Sequence, residues 1–175
     1  MQLDDPLIPF QLKGTDLQMH GTGQLKNNQA VVIIFACNHC QYVRAYVTRL
    51  RDLFRRNQNR DVSFFLINSN DARQYPEDSF DHMVKMAEHL GIGGNYLHDE
   101  SQDTARAYGA ERTPEVFLFS KDRKLVYHGA IDDNWEKPEE VSVHYLEAAL
   151  DAVFENEEVL VKQTQAKGCT IKWKK

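Results

Sequence analysis

Two kinds of apolar pattern alternate along the chain. Residues 30–36 (AVVIIFA) and 62–68 (VSFFLIN) are continuous runs rich in β-branched and aromatic residues, the signature of strands covered on both faces of a sheet. Between them, Cys40, Val43, Tyr46, Val47, Leu50, Leu53 and Phe54 recur at the spacing of one helical face, with Arg44, Arg49, Arg51, Arg55 and Arg56 on the others. The pattern predicts a helix over about 38–57 and a strand–helix–strand opening unit.

The polar stretch NSNDARQYPED then gives way to a helical stripe at Phe80, Met83, Ala87 and Leu90, which ends at Gly91, a C-terminal cap. A short strand is expected at Tyr96-Leu97, a short helix over about 102–108 closed by Gly109, and two strands at 116–119 and 125–127 joined by SKDRK. A last helix is expected over about 141–154. Strands alternating with helices, closed by an antiparallel hairpin and a helix, give an α/β fold with a mixed central sheet flanked by helices.

Both ends depart from this rhythm. Phe10 and Leu12 precede the glycine-bearing stretch GTDLQMHGTGQLKNNQ, read as a hairpin or loop. At the other end, in GCTIKWKK, Ile171 and Trp173 alternate with lysines, so one side of an extended tail can lie on the body. One domain is expected over 1–175, with an N-terminal extension at 1–29, a core at 30–155 and a docked C-terminal tail at 156–175.

Composition narrows the function classes. At 175 residues, 42% hydrophobic and 27% charged, the chain is long enough to bury a core. A formal charge of -5 argues against nucleic acid or an anionic membrane as partner. No apolar run approaches the roughly 20 residues that span a bilayer. The start MQLDDPLIPF lacks the basic and apolar regions of a secretory signal, so a cytoplasmic location is expected.

Three cysteines are too few for a disulfide scaffold, and two of them form Cys37-Asn38-His39-Cys40. A pair of this kind, following a buried strand and opening a helix, suits redox chemistry, because a helix N-terminus favours a thiolate. Cys37 is the expected nucleophile and Cys40, one turn on, the resolving thiol. The competing reading, half of a zinc site, lacks a second CxxC and an H-x3–5-H partner. No metal and no cofactor are expected. Cys169 is read as inert in preference to a third redox thiol. The acidic group Asp132, Asp133, Glu136, Glu139 and Glu140 is read as a solvated loop.

FACNHCQYV, with Thr113-Pro114 before an apolar run, resembles the thioredoxin superfamily, in which a cis-proline loop faces the CxxC. CNHC, INSNDARQYPEDSFDHM, DESQDTARAYGAERTPEVFLF, YHGAIDD and GCTIKWK, in that order, resemble its peroxiredoxin-like branch, related to the alkyl hydroperoxide reductase and thiol-specific antioxidant proteins. The resemblance implies a thioredoxin-like fold and a thiol–disulfide oxidoreductase. Pro114 would be the cis-proline, and Thr113 would offer its backbone to a client. A disulfide-bearing or dithiol protein client and an upstream thiol reductant would be the partners.

Three departures stand out. Gln41 replaces the proline that follows the second cysteine, Ala36 replaces the tryptophan before the pair, and Val31 stands where thioredoxins keep a buried aspartate. Peroxidase chemistry is the alternative, but the P-x-x-x-T-x-x-C setting is missing: the two places before Cys37 hold Ile34 and Ala30. His39 is expected to place positive charge near a Cys37 thiolate. The potential would then lie between about −270 and about −180 mV.

Overall fold

A computed structural model describes residues 1–25 and 27–175. Lys26, within the stretch expected to be a hairpin or loop, lies outside them. Strands β1 (Gln11–Gly14), β2 (Met19–Gly21), β3 (Ala30–Phe35), β4 (Val62–Asn68), β5 (Tyr96–His98), β7 (Glu115–Phe119) and β8 (Leu125–Gly129) form one sheet in the order β2-β1-β5-β4-β3-β7-β8. A two-stranded ladder joins β6 (Arg112–Thr113) to β9 (Cys169–Thr170). The helices are α1 (Gln41–Asn57), α2 (Phe80–Leu90), α3 (Asp103–Tyr108) and α4 (Tyr145–Glu155).

The sheet is mixed. β3, β4 and β5 run parallel, and the crossovers between them carry α1 and α2; β7 and β8 close it antiparallel. β3 shows why its sequence is continuously apolar. Val32 and Ile34 pack with Leu50, Met83 and Leu146 on one face. Val31, Ile33 and Phe35 pack with Tyr108 and Phe117 on the other. With a period of two along the strand, both sets must be apolar when both faces are covered.

Gly91 caps α2 at φ 67°, a left-handed conformation that costs a glycine little. Two helices start later than periodicity predicts. α1 begins at Gln41 rather than 38, because the N–H groups of Asn38 and His39 are bonded to the Asp78 carboxylate. α4 begins at Tyr145 rather than 141. Asp133 accepts the Ser142 N–H, and its own N–H is donated to the Val143 carbonyl, which holds 141–144 extended.

The two ends are built into the body. β1 pairs with β2 and with β5, so the N-terminal hairpin forms the edge of the central sheet. Ile171, in the tail, is buried against Ala105 and Tyr108. Asp132 is not solvated as expected: it is buried, accepting hydrogen bonds from Tyr46 Oη and Arg49, each at 2.6 Å. Among the described residues no helix is long and apolar enough to cross a membrane.

Candidate functional site

β3, inside the sheet between β4 and β7, delivers the chain into the CxxC loop, next to the start of α1. Cys37 lies in that loop and Cys40 is the N-cap residue of α1. The loop is held by Asp78, whose side chain is fully buried. Asp78 Oδ1 accepts the N–H groups of Asn38 at 2.7 Å and His39 at 3.1 Å. Asp78 Oδ2 meets His39 Nδ1 at 2.5 Å and accepts from Asn70 Nδ2 at 2.8 Å. Asn38 is fixed further: Tyr96 Oη donates to its Oδ1, and Arg44 Nε donates to its carbonyl. The His39 ring stacks on Tyr75.

The Thr113–Pro114 peptide is cis. Its threonine touches both sulfurs: Thr113 Oγ1 lies 3.2 Å from Cys37 Sγ, and the Thr113 carbonyl lies 3.1 Å from Cys40 Sγ. Along the outer edge of this loop runs β9, antiparallel, with Cys169 opposite Thr113. That pairing brings Cys169 Sγ to 2.7 Å from Cys40 Sγ, across 129 residues of sequence. Cys37 and Cys40 are both 0% exposed, whereas Cys169 is half-buried.

The loop's electrostatics separate the two sulfurs of the pair. Cys37 is pushed up, by its hydrogen bond with the Cys40 sulfur, by burial and by the Asp78 carboxylate. Cys40 is drawn well below the ordinary thiol range, by hydrogen bonds from Cys37 and Cys169 and by backbone N–H groups of Val43 and Cys169. The helix-start argument therefore acts on Cys40, which sits at the N-cap, and not on Cys37 as expected from a helix beginning at 38. Cys169 is pushed up to about 11 by burial and by its contact with Cys40.

His39 does not stand alone as a positive charge beside Cys37. Its Nδ1 faces the Asp78 carboxylate, whose negative charge offsets positive charge on the ring. Among the described residues, Cys37, His39 and Asp78 gather a sulfur, a ring nitrogen and a carboxylate oxygen within 4.8 Å of one another, a donor mix that zinc takes. His39 Nδ1 and Asp78 Oδ2 face each other, however, and Asp78 Oδ1 holds two backbone N–H groups. The arrangement is that of a hydrogen-bonded anchor.

Asp78 is the residue the sequence did not reveal. It acts 40 residues from Asn38, and nothing in the motif QYPEDSF points back to the cysteines. Val31 and Ile34 are buried apolar residues, so the carboxylate beside Cys37 comes from a different element than in thioredoxins. Cys169 was visible as a Gly-Cys pair, but its place beside Cys40 depends on β9.

Comparison with known proteins agrees with this architecture. The family model described as Redoxin matches residues 2–149. An uncharacterized conserved protein from Geobacillus kaustophilus is 42% identical with a TM-score of 0.91, covering 99% of this chain and 93% of that one. A hypothetical protein from Sinorhizobium meliloti is 32% identical with a TM-score of 0.91, covering 99% and 96%. A secreted disulfide oxidoreductase from Mycobacterium tuberculosis shares the fold at 15% identity, with a TM-score of 0.56 over 66% of this chain and 79% of that one. No curated protein matches. With its CxxC facing a cis-proline loop on a thioredoxin-like fold, the chain belongs to the Redoxin family of thioredoxin-type redox proteins.

Proposed function

We propose that the protein is a thiol–disulfide oxidoreductase in which Cys37 and Cys40 cycle between dithiol and disulfide, acting on protein or small-molecule disulfides. The observation that carries this reading is the convergence of both sulfurs on Thr113, at 3.2 and 3.1 Å, in the loop of the cis-proline. The surroundings of the pair draw the Cys40 thiol down and push the Cys37 thiol up. Stabilising one thiolate stabilises the dithiol, so the disulfide is a stronger oxidant than thioredoxin's, above about −270 mV. A disulfide-bearing or dithiol client and an upstream thiol reductant complete the cycle.

The test compares wild type with Cys37→Ser and Cys40→Ser in insulin disulfide reduction and in hydrogen peroxide consumption. Each variant is expected to lose disulfide turnover by about tenfold or more, since neither can form the Cys37–Cys40 disulfide. Wild-type disulfide turnover in both variants would sink the reading. Peroxide turnover that survives in Cys40→Ser would favour a thiol peroxidase instead. Equilibration of the wild-type couple with a glutathione redox buffer checks the potential.

A further inference from the structure

We propose that Cys169 is a third redox thiol, and that the disulfide passes between Cys37–Cys40 and Cys40–Cys169, so that exchange with a client takes place at Cys169. This rests on the dithiol reading above and assigns the sulfur that meets the client.

Four observations support it. First, Cys169 Sγ and Cys40 Sγ stand 2.7 Å apart, closer than non-bonded sulfurs pack and a short movement from the ~2.05 Å of a disulfide. Second, β9 pairs along the backbone edge of Thr113. A stretch of this chain, ending in a cysteine, lies along the segment beside the cis-proline as an added strand would. Third, the approach is built into the sequence. A Cβ at Gly168 would fall 2.2 Å from the Thr113 carbonyl oxygen, so only glycine lets the tail come this close. Fourth, the tail is clamped on the far side of Cys169. Ile171 N–H donates to the Glu111 carbonyl and Asp71 N–H to the Lys172 carbonyl, each at 2.9 Å, while Lys172 N–H donates to Asn70 Oδ1 at 2.8 Å. The sulfur is therefore held in place, and Ile171, two residues on, is itself buried.

Access favours the same assignment. Both sulfurs of the CxxC are closed to solvent, and Cys169 is the half-buried member of the three. From the oxidised couple, Cys169 gives up its proton and attacks Cys40 Sγ. The Cys37–Cys40 bond breaks, a Cys40–Cys169 bond forms, and Cys37 takes up a proton beside Thr113 Oγ1, with no net oxidation. A client thiolate then attacks Cys169 Sγ and expels Cys40 as thiolate, the sulfur whose surroundings best hold the charge. The client's second thiol displaces Cys169. Two client thiols have become a disulfide, and the protein's disulfide has become two thiols; the reverse sequence reduces a client.

Peptide mapping after oxidation of the full chain with diamide and acid-quenched alkylation tests this directly. Cys37→Ser is expected to yield a Cys40–Cys169 linkage within one chain. Cys169→Ser and Cys169→Ala are expected to form Cys37–Cys40 normally yet reduce insulin disulfides about tenfold more slowly than wild type. Oxidised Cys37→Ser with both remaining thiols free, or wild-type turnover in the Cys169 variants, would overturn the proposal. Mapping of Cys37→Ser reads Cys169 alone, whereas turnover of Cys40→Ser reads the dithiol itself, so the two failures are distinguishable.

Discussion

Cys37 and Cys40 share one loop but meet opposite fields. Cys40 takes the N-cap of a 17-residue helix, and Cys37 looks onto a buried carboxylate. The spacing of the pair was legible because chemistry fixes it locally, and Thr113-Pro114 was legible only through the resemblance to thioredoxins, since a proline before an apolar run can equally start an ordinary strand. How the two thiols differ was not legible, because the Cys37–Cys40 contact and burial set it in three dimensions, with the Asp78 carboxylate added from another element. In a Cys40→Ser background, where Cys37 titrates alone, adding Asp78→Asn is expected to bring the Cys37 thiol down, since the substitution removes the negative charge that opposes its ionisation. The pH dependence of thiolate ultraviolet absorbance reads this. An unmoved titration would mean that burial, and not Asp78, holds Cys37 up. The same change takes the acceptor from Asn70 Nδ2, so a stability loss of about 1–3 kcal/mol should accompany it in urea unfolding.

At the scale of elements, β3 and β4 could be read because a strand covered on both faces has no polar positions to spare, and α2 because Phe80, Met83, Ala87 and Leu90 repeat to a glycine stop. The starts of α1 and α4 could not. Apolar periodicity marks which residues face the core, but the first turn depends on who takes the free N–H groups, and here Asp78 and Asp133 take them. β6 and β9 are two residues each, too short for any period, and β9 is defined by its partner alone. Gly168→Ala is the probe of that ladder. Its Cβ would meet backbone, which cannot swing aside as a side chain can, so the tail must move outward. The expected result is a loss of about 1–3 kcal/mol and faster alkylation of Cys40, with the fold intact by circular dichroism. Unchanged protection of Cys40 would show that β9 does not cover the pair.

Across the whole molecule, the hairpin at the N-terminus and the tail at the C-terminus close the sheet edge and the redox site respectively, which is why neither behaves as an appendage. His98 marks the first junction: it lies opposite Lys13, where β1 joins β5. Burial holds the His98 ring below its usual value of 6.5. Glu100 and Asp99 oppose the shift, and Lys174 and Lys13 add to it. Because the unfolded chain takes up this proton before the folded one, the associated stability is complete above about pH 6.5 and falls as pH drops toward the folded value. Glu115, next to the cis-proline, adds a second step. Burial opposes its ionisation, but the hydrogen bond from His128 and the N–H groups of Glu111 and Arg112 outweigh it, leaving the carboxyl below its ordinary value of 4.5. Its contribution is present above about pH 4.5 and is lost as acid protonates it through the lowered value. The urea midpoint should therefore decline in two stages on acidification, the first setting in as pH falls through about 6.5, and His98→Gln should flatten the first while leaving the second. A variant with an undiminished first stage would remove His98 as its source, and the junction between hairpin and sheet would then carry no titrating group that matters to folding.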